Sequence, residues 1–443
     1  MTAPSSLSEI VRLCRARQLP QAEAAIRVLL RAEPDHAQAL VLGGDVALAL
    51  GDRPTAQTRL RRAAVLAEAA AELRYQAAVL LGRAGDVPGA AEALRALAAA
   101  HPNAFPVLFD LGQVEEALGR PDAALPAYEA AVRANPGHAG PFTRRAVLLL
   151  RRAFGEALPM PPAKRQTALA DATRLTMSTL GFNGRFGNQL LQYACLRALG
   201  ETHGLRVEAP EWIGRWLYDL ADPLPSAPLS QLREDGDNVA RLLLPGAAPE
   251  ALRNRDLWGY CCYHTRYFRP HRDLIRRLFA PGARLQPRLD SAMARIHARG
   301  RTLVALHLRR GDFGYGRFWI APERWYLDWL TDLWPTLEQP VLYVASDDPA
   351  LVGAFAAYRP LAAADLGSEI PGAEFLIDFH VLTQAHALAI SNSSFSFAAG
   401  LLNANATCFM RPDLAAGRLV AYDPWDADVL LPDPNAAKEP QHG

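Results

Sequence analysis

The stretch FPVLFDLGQVEEALG, Phe105 to Gly119, puts Val107, Leu111, Val114 and Leu118 on one face of a helix and then stops at a glycine. Apolar residues three and four apart predict the helix, and Gly119 can take the positive φ needed where the chain turns back. The same punctuation recurs upstream. Gly51, Gly85 and Gly119 are 34 residues apart, as are Pro20, Pro54 and Pro88, and Ala22, Ala56, Ala90 and Ala124. Pro102 and Pro136 keep the spacing, and Pro34 lies two periods before Pro102. Each unit reads as a first helix closed by glycine, an alanine five residues later that lets the second helix pack close, and a proline that cannot continue the second helix.

A helix–turn–helix unit of this length resembles the tetratricopeptide repeat. Four units are read over about residues 4–136, with a capping helix at about 138–154, so residues 1–155 are expected to form an all-α solenoid. Stacked repeats of this kind curve and offer a concave face to a peptide or protein segment. Pro159, Pro161 and Pro162 then break the helical pattern and mark a linker over 156–175.

The bulk numbers narrow the possible functions. A chain of 443 residues is expected to hold two or three domains. Half the residues are apolar and 21% are charged, an ordinary globular balance, and the net charge of +1 argues against a non-specific nucleic-acid binder. Cys14, Cys195, Cys261, Cys262 and Cys408 are odd in number and in no C-x-x-C spacing, so neither a disulfide framework nor a zinc site is expected. The N-terminus lacks the basic and apolar runs of a signal peptide, and no apolar run reaches the ~20 residues of a membrane span. The expected location is cytoplasmic, with peripheral attachment to the inner face of a membrane left open.

From Leu175 onward the pattern alternates. LTMSTLGF is a short β-prone run, Leu205–Ala209 a second candidate strand, and TLVALHLR (302–309) and PVLYVAS (340–346) read as buried parallel strands. FLIDFHVLTQAHA reads as a helix, and LAIS (388–391) as another strand. Strands separated by helices predict parallel sheets covered on both faces, in two doubly wound halves divided near residue 295. The stretch at 210–300 gives little pattern to read.

Four segments can carry chemistry. GFNGRFGNQLLQYA (181–194) is a glycine-rich turn opening a helix, which reads either as an anion cradle or as plain turn and packing chemistry. A dinucleotide fold would use Glu208 downstream, but the required G-x-G is absent. In HLRRGDF (307–313) one of two arginines at a strand end can pair bidentately with a diphosphate, or simply bridge to Asp312. In YVASDDP, Asp348 reads as a helix cap before Pro349, and Asp347 is left open. In ISNSSFSFAAGLLN (390–403), the Asn392, Ser393, Ser394 and Ser396 cluster can bind phosphate or act as an ordinary N-cap.

Taken in order, these segments resemble the bacterial and animal α-1,2-fucosyltransferase family, whose corresponding segments look like GRLGNQLFQYA, HxRRGDY, SDD and NSSFSWW. The resemblance covers about residues 178–412, with Phe397 and Ala398 in place of the paired tryptophans. It implies a GT-B-like enzyme of two facing Rossmann-like domains, 176–294 on the acceptor side and 295–443 on the donor side. It further implies an inverting transfer of fucose from GDP-fucose to a glycan hydroxyl, with no bound metal and no other cofactor. By resemblance, Arg309 pairs with the donor diphosphate, His307 lines the same pocket, and Asn392, Ser393, Ser394, Phe395 and Ser396 hold phosphate or nucleotide. Asp347, read from its strand-end carboxylate, is a donor-binding candidate that can contact a ribose or base. Arg185, Asn188 and Gln189 would face the cleft from the acceptor side, and Asp312 is the candidate base. The alternatives are another nucleotide sugar, a protein acceptor held by the repeats, or a non-catalytic repeat scaffold with a degenerate transferase domain.

Overall fold

Left-handed turn residues set the rhythm of the first compact unit, Met1–Arg145. A computed structural model describes residues 6–66, 68–155 and 173–433 of the protein. Helices α1 (Leu7–Arg15), α2 (Leu19–Ala32), α3 (Ala37–Ala49), α4 (Arg53–Val65), α5 (Ala71–Arg83), α6 (Val87–Ala100), α7 (Phe105–Ala117) and α8 (Pro121–Ala134) follow one another, and α9 (Ala139–Phe154) takes the place read as the capping helix. Gly51, Gly85 and Gly119 have φ of 84°, 84° and 69°. The amide of the next residue returns to the helix it has left: Asp52 N to Ala47 O, Asp86 N to Leu81 O and Arg120 N to Glu115 O are each 2.9 Å. Ala22, Ala56, Ala90 and Ala124 are all fully buried, as the close helix approach requires.

One period before Gly51 stands Arg17, with φ 55° and the same closing bond, Gln18 N to Leu13 O at 3.0 Å. A β-carbon in that conformation costs about 1 kcal/mol. Arg17→Gly is therefore expected to stabilise the first repeat by roughly 0.5 kcal/mol after its own chain-entropy cost. A denaturant titration that finds the variant no more stable than the parent would show that Arg17 carries no strain.

The division between compact units falls between Arg145 and Ala146, inside α9, whereas the sequence reading set the boundary after residue 155. The physical reason lies in the far end of α9. Arg151 Nε donates to Glu211 Oε1 at 2.9 Å, and Arg284 Nη1 donates to Phe154 O at 3.0 Å, both within the second unit. Of the linker read over 156–175, residues 156–172 lie outside the described residues, and Arg174 and Leu175 already belong to a strand.

The second unit, Ala146–Gly443, contains two sheets. The first joins β1 (Arg174–Thr176), β2 (Arg206–Glu208), β3 (Ser230–Arg233) and β4 (Arg255–Trp258), all parallel, in the order β2-β1-β4-β3. Helices α10 (Phe186–His203), α11 (Ile213–Leu217), α12 (Arg272–Leu278) and α13 (Gln286–His297) are interspersed or follow. The second sheet joins β5 (Thr302–Leu308), β6 (Pro340–Ser346), β7 (Ala387–Ala389), β8 (Cys408–Asp413) and β9 (Arg418–Ala421) in the order β6-β5-β7-β8-β9. It is parallel except for the β8–β9 pair. Helices α14 (Glu323–Leu333), α15 (Ala363–Leu366), α16 (Leu376–Gln384) and α17 (Ser394–Leu402) accompany it.

The expected division at 294/295 falls within α13, whose Leu289, Ala292 and Ile296 are buried at helical spacing. LTMSTLGF is a strand only to Thr176; Thr179 then accepts from the amides of Phe182 and Asn183, and the chain turns. Alternation along β5 sends Val304, Leu306 and Leu308 into a core with Trp325, Tyr326 and Leu330 of α14, and turns His307 to the opposite face. Among the described residues, no helix is long and apolar enough to cross a membrane.

Candidate functional site

Parallel strands deliver their C-terminal ends to one edge, and β5 lies between β6 and β7. Three of the segments picked out from the sequence therefore begin side by side. Beyond β5 come Arg309 and Arg310, beyond β6 Asp347, and beyond β7 the turn that opens α17. Side chains tie the three ends together. His307 Nδ1 and Ser391 Oγ share a hydrogen bond of 2.8 Å, and Ser346 Oγ donates to Leu308 O at 2.8 Å. Asp347 accepts from the Arg310 amide at 2.8 Å and pairs with Arg309 Nη1 at 2.9 Å.

Arg309 also pairs with Asp312, and the other oxygen of Asp312 lies 3.5 Å from Arg185. Arg185 stands immediately before α10, so this ion triad joins the end of the second sheet to the helix that follows β1. Burial works against ionisation of Asp312, but the charge and hydrogen bond of Arg309, with Arg185 behind it, hold its carboxyl below the ordinary value. A carboxylate held this way is a weak base. Burial, reinforced by the Arg309 charge, lowers the pKa of Arg185 in spite of Asp312. Arg310 is paired with Glu323 at the start of α14.

The starts of α10 and α17 meet at the backbone. A β-carbon on Gly187 would lie 2.4 Å from Phe395 N and 2.6 Å from Phe395 Cα. Two helix N-termini, each carrying partial positive charge, thus converge beside Arg185 and Arg309. The rings of Phe186 and Phe395 lie 6.5 Å apart, and Phe395 lies 5.2 Å from His307.

Other residues read as ligand-binding have structural partners. The Asn392 amide donates to Arg317 O at 2.7 Å and Leu431 O at 2.8 Å, and its oxygen accepts from Leu431 N at 2.8 Å. It therefore pins two loops to the end of β7. Ser393 caps α17, accepting from Phe395 N at 3.3 Å, and Ser396 is buried with its hydroxyl near Ser391 O and Ser393 O. Ser394 is the first residue of α17. Asp348 caps the following 3-10 segment, accepting from Ala350 N at 3.1 Å. Gln189 is fully buried and donates to Gly184 O at 3.1 Å, while Asn188 accepts from the Cys262 thiol at 3.7 Å. Glu208 is fully buried and accepts from the Ser226 amide at 2.9 Å, so it cannot serve as a ribose ligand. Sequence reading missed Glu323, Ser391 and Gly187. Gly187 had a visible signal, a third glycine in GFNGRFGN at a helix start that needs none.

Burial of His307, with the Arg309 charge acting second, holds its pKa down to about 3 from an ordinary 6.5. The unfolded chain therefore takes up a proton that the folded chain refuses. The stability contributed by neutral His307 is complete above about pH 6.5 and is lost as the pH falls toward about 3. His307→Gln is expected to flatten the acid limb of stability against pH in that window. Parallel acid limbs for variant and parent, followed by circular dichroism, would rule His307 out as the titrating group.

The fold and this edge define a class: helical repeats ahead of an α/β unit whose strand ends gather arginines at two helix starts. The N-terminal region consists of tetratricopeptide repeats; the tetratricopeptide repeat model matches residues 41–105, 75–139 and 109–153. The C-terminal part is weakly similar to α-1,2-fucosyltransferases. Galactoside alpha-(1,2)-fucosyltransferase 1 of Lagothrix lagotricha is 30% identical over 196 residues, 38% of this chain and 47% of that protein. The Homo sapiens protein of the same name is 29% identical over 172 residues, 32% of this chain and 40% of that protein. The chain thus spans less than half the length of these curated relatives. Among solved structures, a crystal structure of MamA matches at 20% identity with a TM-score of 0.30, over 34% of this chain and 87% of that one.

Proposed function

We propose that the chain is an inverting, GT-B-like glycosyltransferase that moves fucose from GDP-fucose to a glycan hydroxyl, in α-1,2 linkage. The observation that carries this reading is the Arg185–Asp312–Arg309 triad at the meeting point of two helix starts. The two sheets, one parallel and one parallel except for its β8–β9 edge, are then the two nucleotide-fold halves, and the similarity to α-1,2-fucosyltransferases supports the choice of sugar and linkage.

In this reaction the acceptor oxygen attacks the anomeric carbon from the face opposite the diphosphate. The bond from that carbon to the phosphate oxygen breaks, GDP leaves with the electron pair, and the acceptor hydroxyl gives up its proton to the departing diphosphate or to water. Arg309, Arg185 and the α17 start stabilise the charge gathering on the diphosphate, which gives the transition state more than the ground state. Arginine charge fills the role a metal ion would otherwise have. Asp312 serves this reading better as the group that orients the arginines than as the base taking the hydroxyl proton.

Thermal shift with GDP and UDP, then incubation with GDP-fucose, a glycan panel and cell lysate read by mass, tests the proposal. Stabilisation by GDP alone and a fucose mass increment on a glycan are expected. No response to GDP and no transfer to any acceptor would sink the reading in favour of a repeat scaffold. A fucose increment only on a lysate protein, abolished when the repeats are removed, would favour the reading in which the tetratricopeptide repeats hold a protein acceptor.

A further inference from the structure

A cavity of about 150 Å³ lies within the second unit, apart from the arginine triad. A cavity of that size accepts a benzene-sized ring. Phe279, Leu289 and Phe379 contribute apolar walls, and Arg276, His380 and Gln384 contribute polar groups. Arg276 is the unusual member. Its Nη2 donates to Asn403 O at 2.8 Å, its Nε is buried without a hydrogen-bond partner, and no carboxylate of the described residues lies within ion-pairing distance. Its guanidinium lies 6.0 Å from the ring of Trp425, with Arg272 at 5.5 Å on the same ring. Asp273 acts on it only at longer range, and burial together with Arg272 lowers its pKa. Burial likewise holds His380 down to about 4, Asp290 opposing only in part, so its imidazole is neutral at pH 7.

A cation with no carboxylate at ion-pairing distance, at the wall of a cavity with a largely apolar side, favours a ligand that brings an anion to it. We propose that this cavity binds a small carboxylate with a compact apolar body, the body between Phe279, Leu289 and Phe379 and the carboxylate on Arg276. None of Arg185, Arg309 and Asp312 lines the cavity, although its Phe379 wall lies 5.2 Å from the Phe395 ring, and the test needs no donor sugar.

Benzoate is the probe, titrated calorimetrically into the full chain beside its neutral counterpart benzamide. Benzoate is expected to bind with Kd below about 1 mM, and benzamide at least about tenfold more weakly, because only the former supplies the charge. Arg276→Gln should erase that preference. Leu289→Phe, which fills the cavity and keeps Arg276, should block both probes. No benzoate binding up to about 10 mM, where even weak sites respond, overturns the proposal. So does equal affinity for benzamide, or benzoate binding unchanged in either variant. Should Arg276→Gln fail to fold, the benzoate–benzamide comparison in the parent and the Leu289→Phe variant decide the matter.

Discussion

Arg309→Ala is expected to cut GDP binding and fucose transfer by at least about a hundredfold while leaving the fold in place. Arg309 is the hub of the site: it pairs with Asp347 on one side and Asp312 on the other. Its removal takes away the cation nearest the strand end and leaves two carboxylates facing any incoming diphosphate. The fold should survive, because Asp347 keeps its bond to the Arg310 amide and β5 keeps its pairing with β6 and β7. Arg309→Lys should fall between, since an ammonium restores the charge but not the two-pronged geometry. Calorimetric titration of GDP and the kcat/KM of transfer are the readouts. An alanine variant that binds GDP within a factor of about two of the parent cannot be reconciled with a diphosphate at this arginine.

Gly187→Ala is expected to cost about 1–3 kcal/mol of stability and to damage the site more than that figure implies. On helix propensity alone the change should gain up to about 1 kcal/mol. The geometry opposes it: the added carbon would lie 2.4 Å from Phe395 N and 2.6 Å from both Phe395 Cα and Ser394 C. These are backbone atoms at the capped start of α17 and cannot rotate away, so overpacking wins. Relief requires the starts of α10 and α17 to separate, which would move Arg185 away from Arg309. Gly353→Ala is the control, because a β-carbon there meets nothing within 4 Å. A melting curve for Gly187→Ala matching that of Gly353→Ala would mean the two helix starts are not in contact.

The legible part of the site was the part written in one stretch of chain. The apolar run 302–308 announced β5, and the residues after it had to emerge at the strand end. Asp348 as a cap was readable from its place before Pro349. Asn392 looked like a ligand donor because an amide in a serine-rich turn can be one; its three backbone partners come from Arg317 and Leu431, which nothing local foretells. β3 (SQLR) and β4 (RDLW) are not legible, because four residues of which at least two are polar and adjacent carry neither an alternating nor an all-apolar signature.

Sequence alone determined the repeat array, since its period, its left-handed glycines and its buried alanines answer to steric rules acting over one turn or one hairpin. Arg17, one period before Gly51, joins that series only through its φ of 55° in the folded chain. Only the tertiary structure decided that Arg185, more than a hundred residues upstream, shares Asp312 with Arg309, and that α10 and α17 touch through Gly187. Those arrangements depend on how two sheets pack, and packing is a sum of many weak, non-directional contacts that no single stretch of residues records.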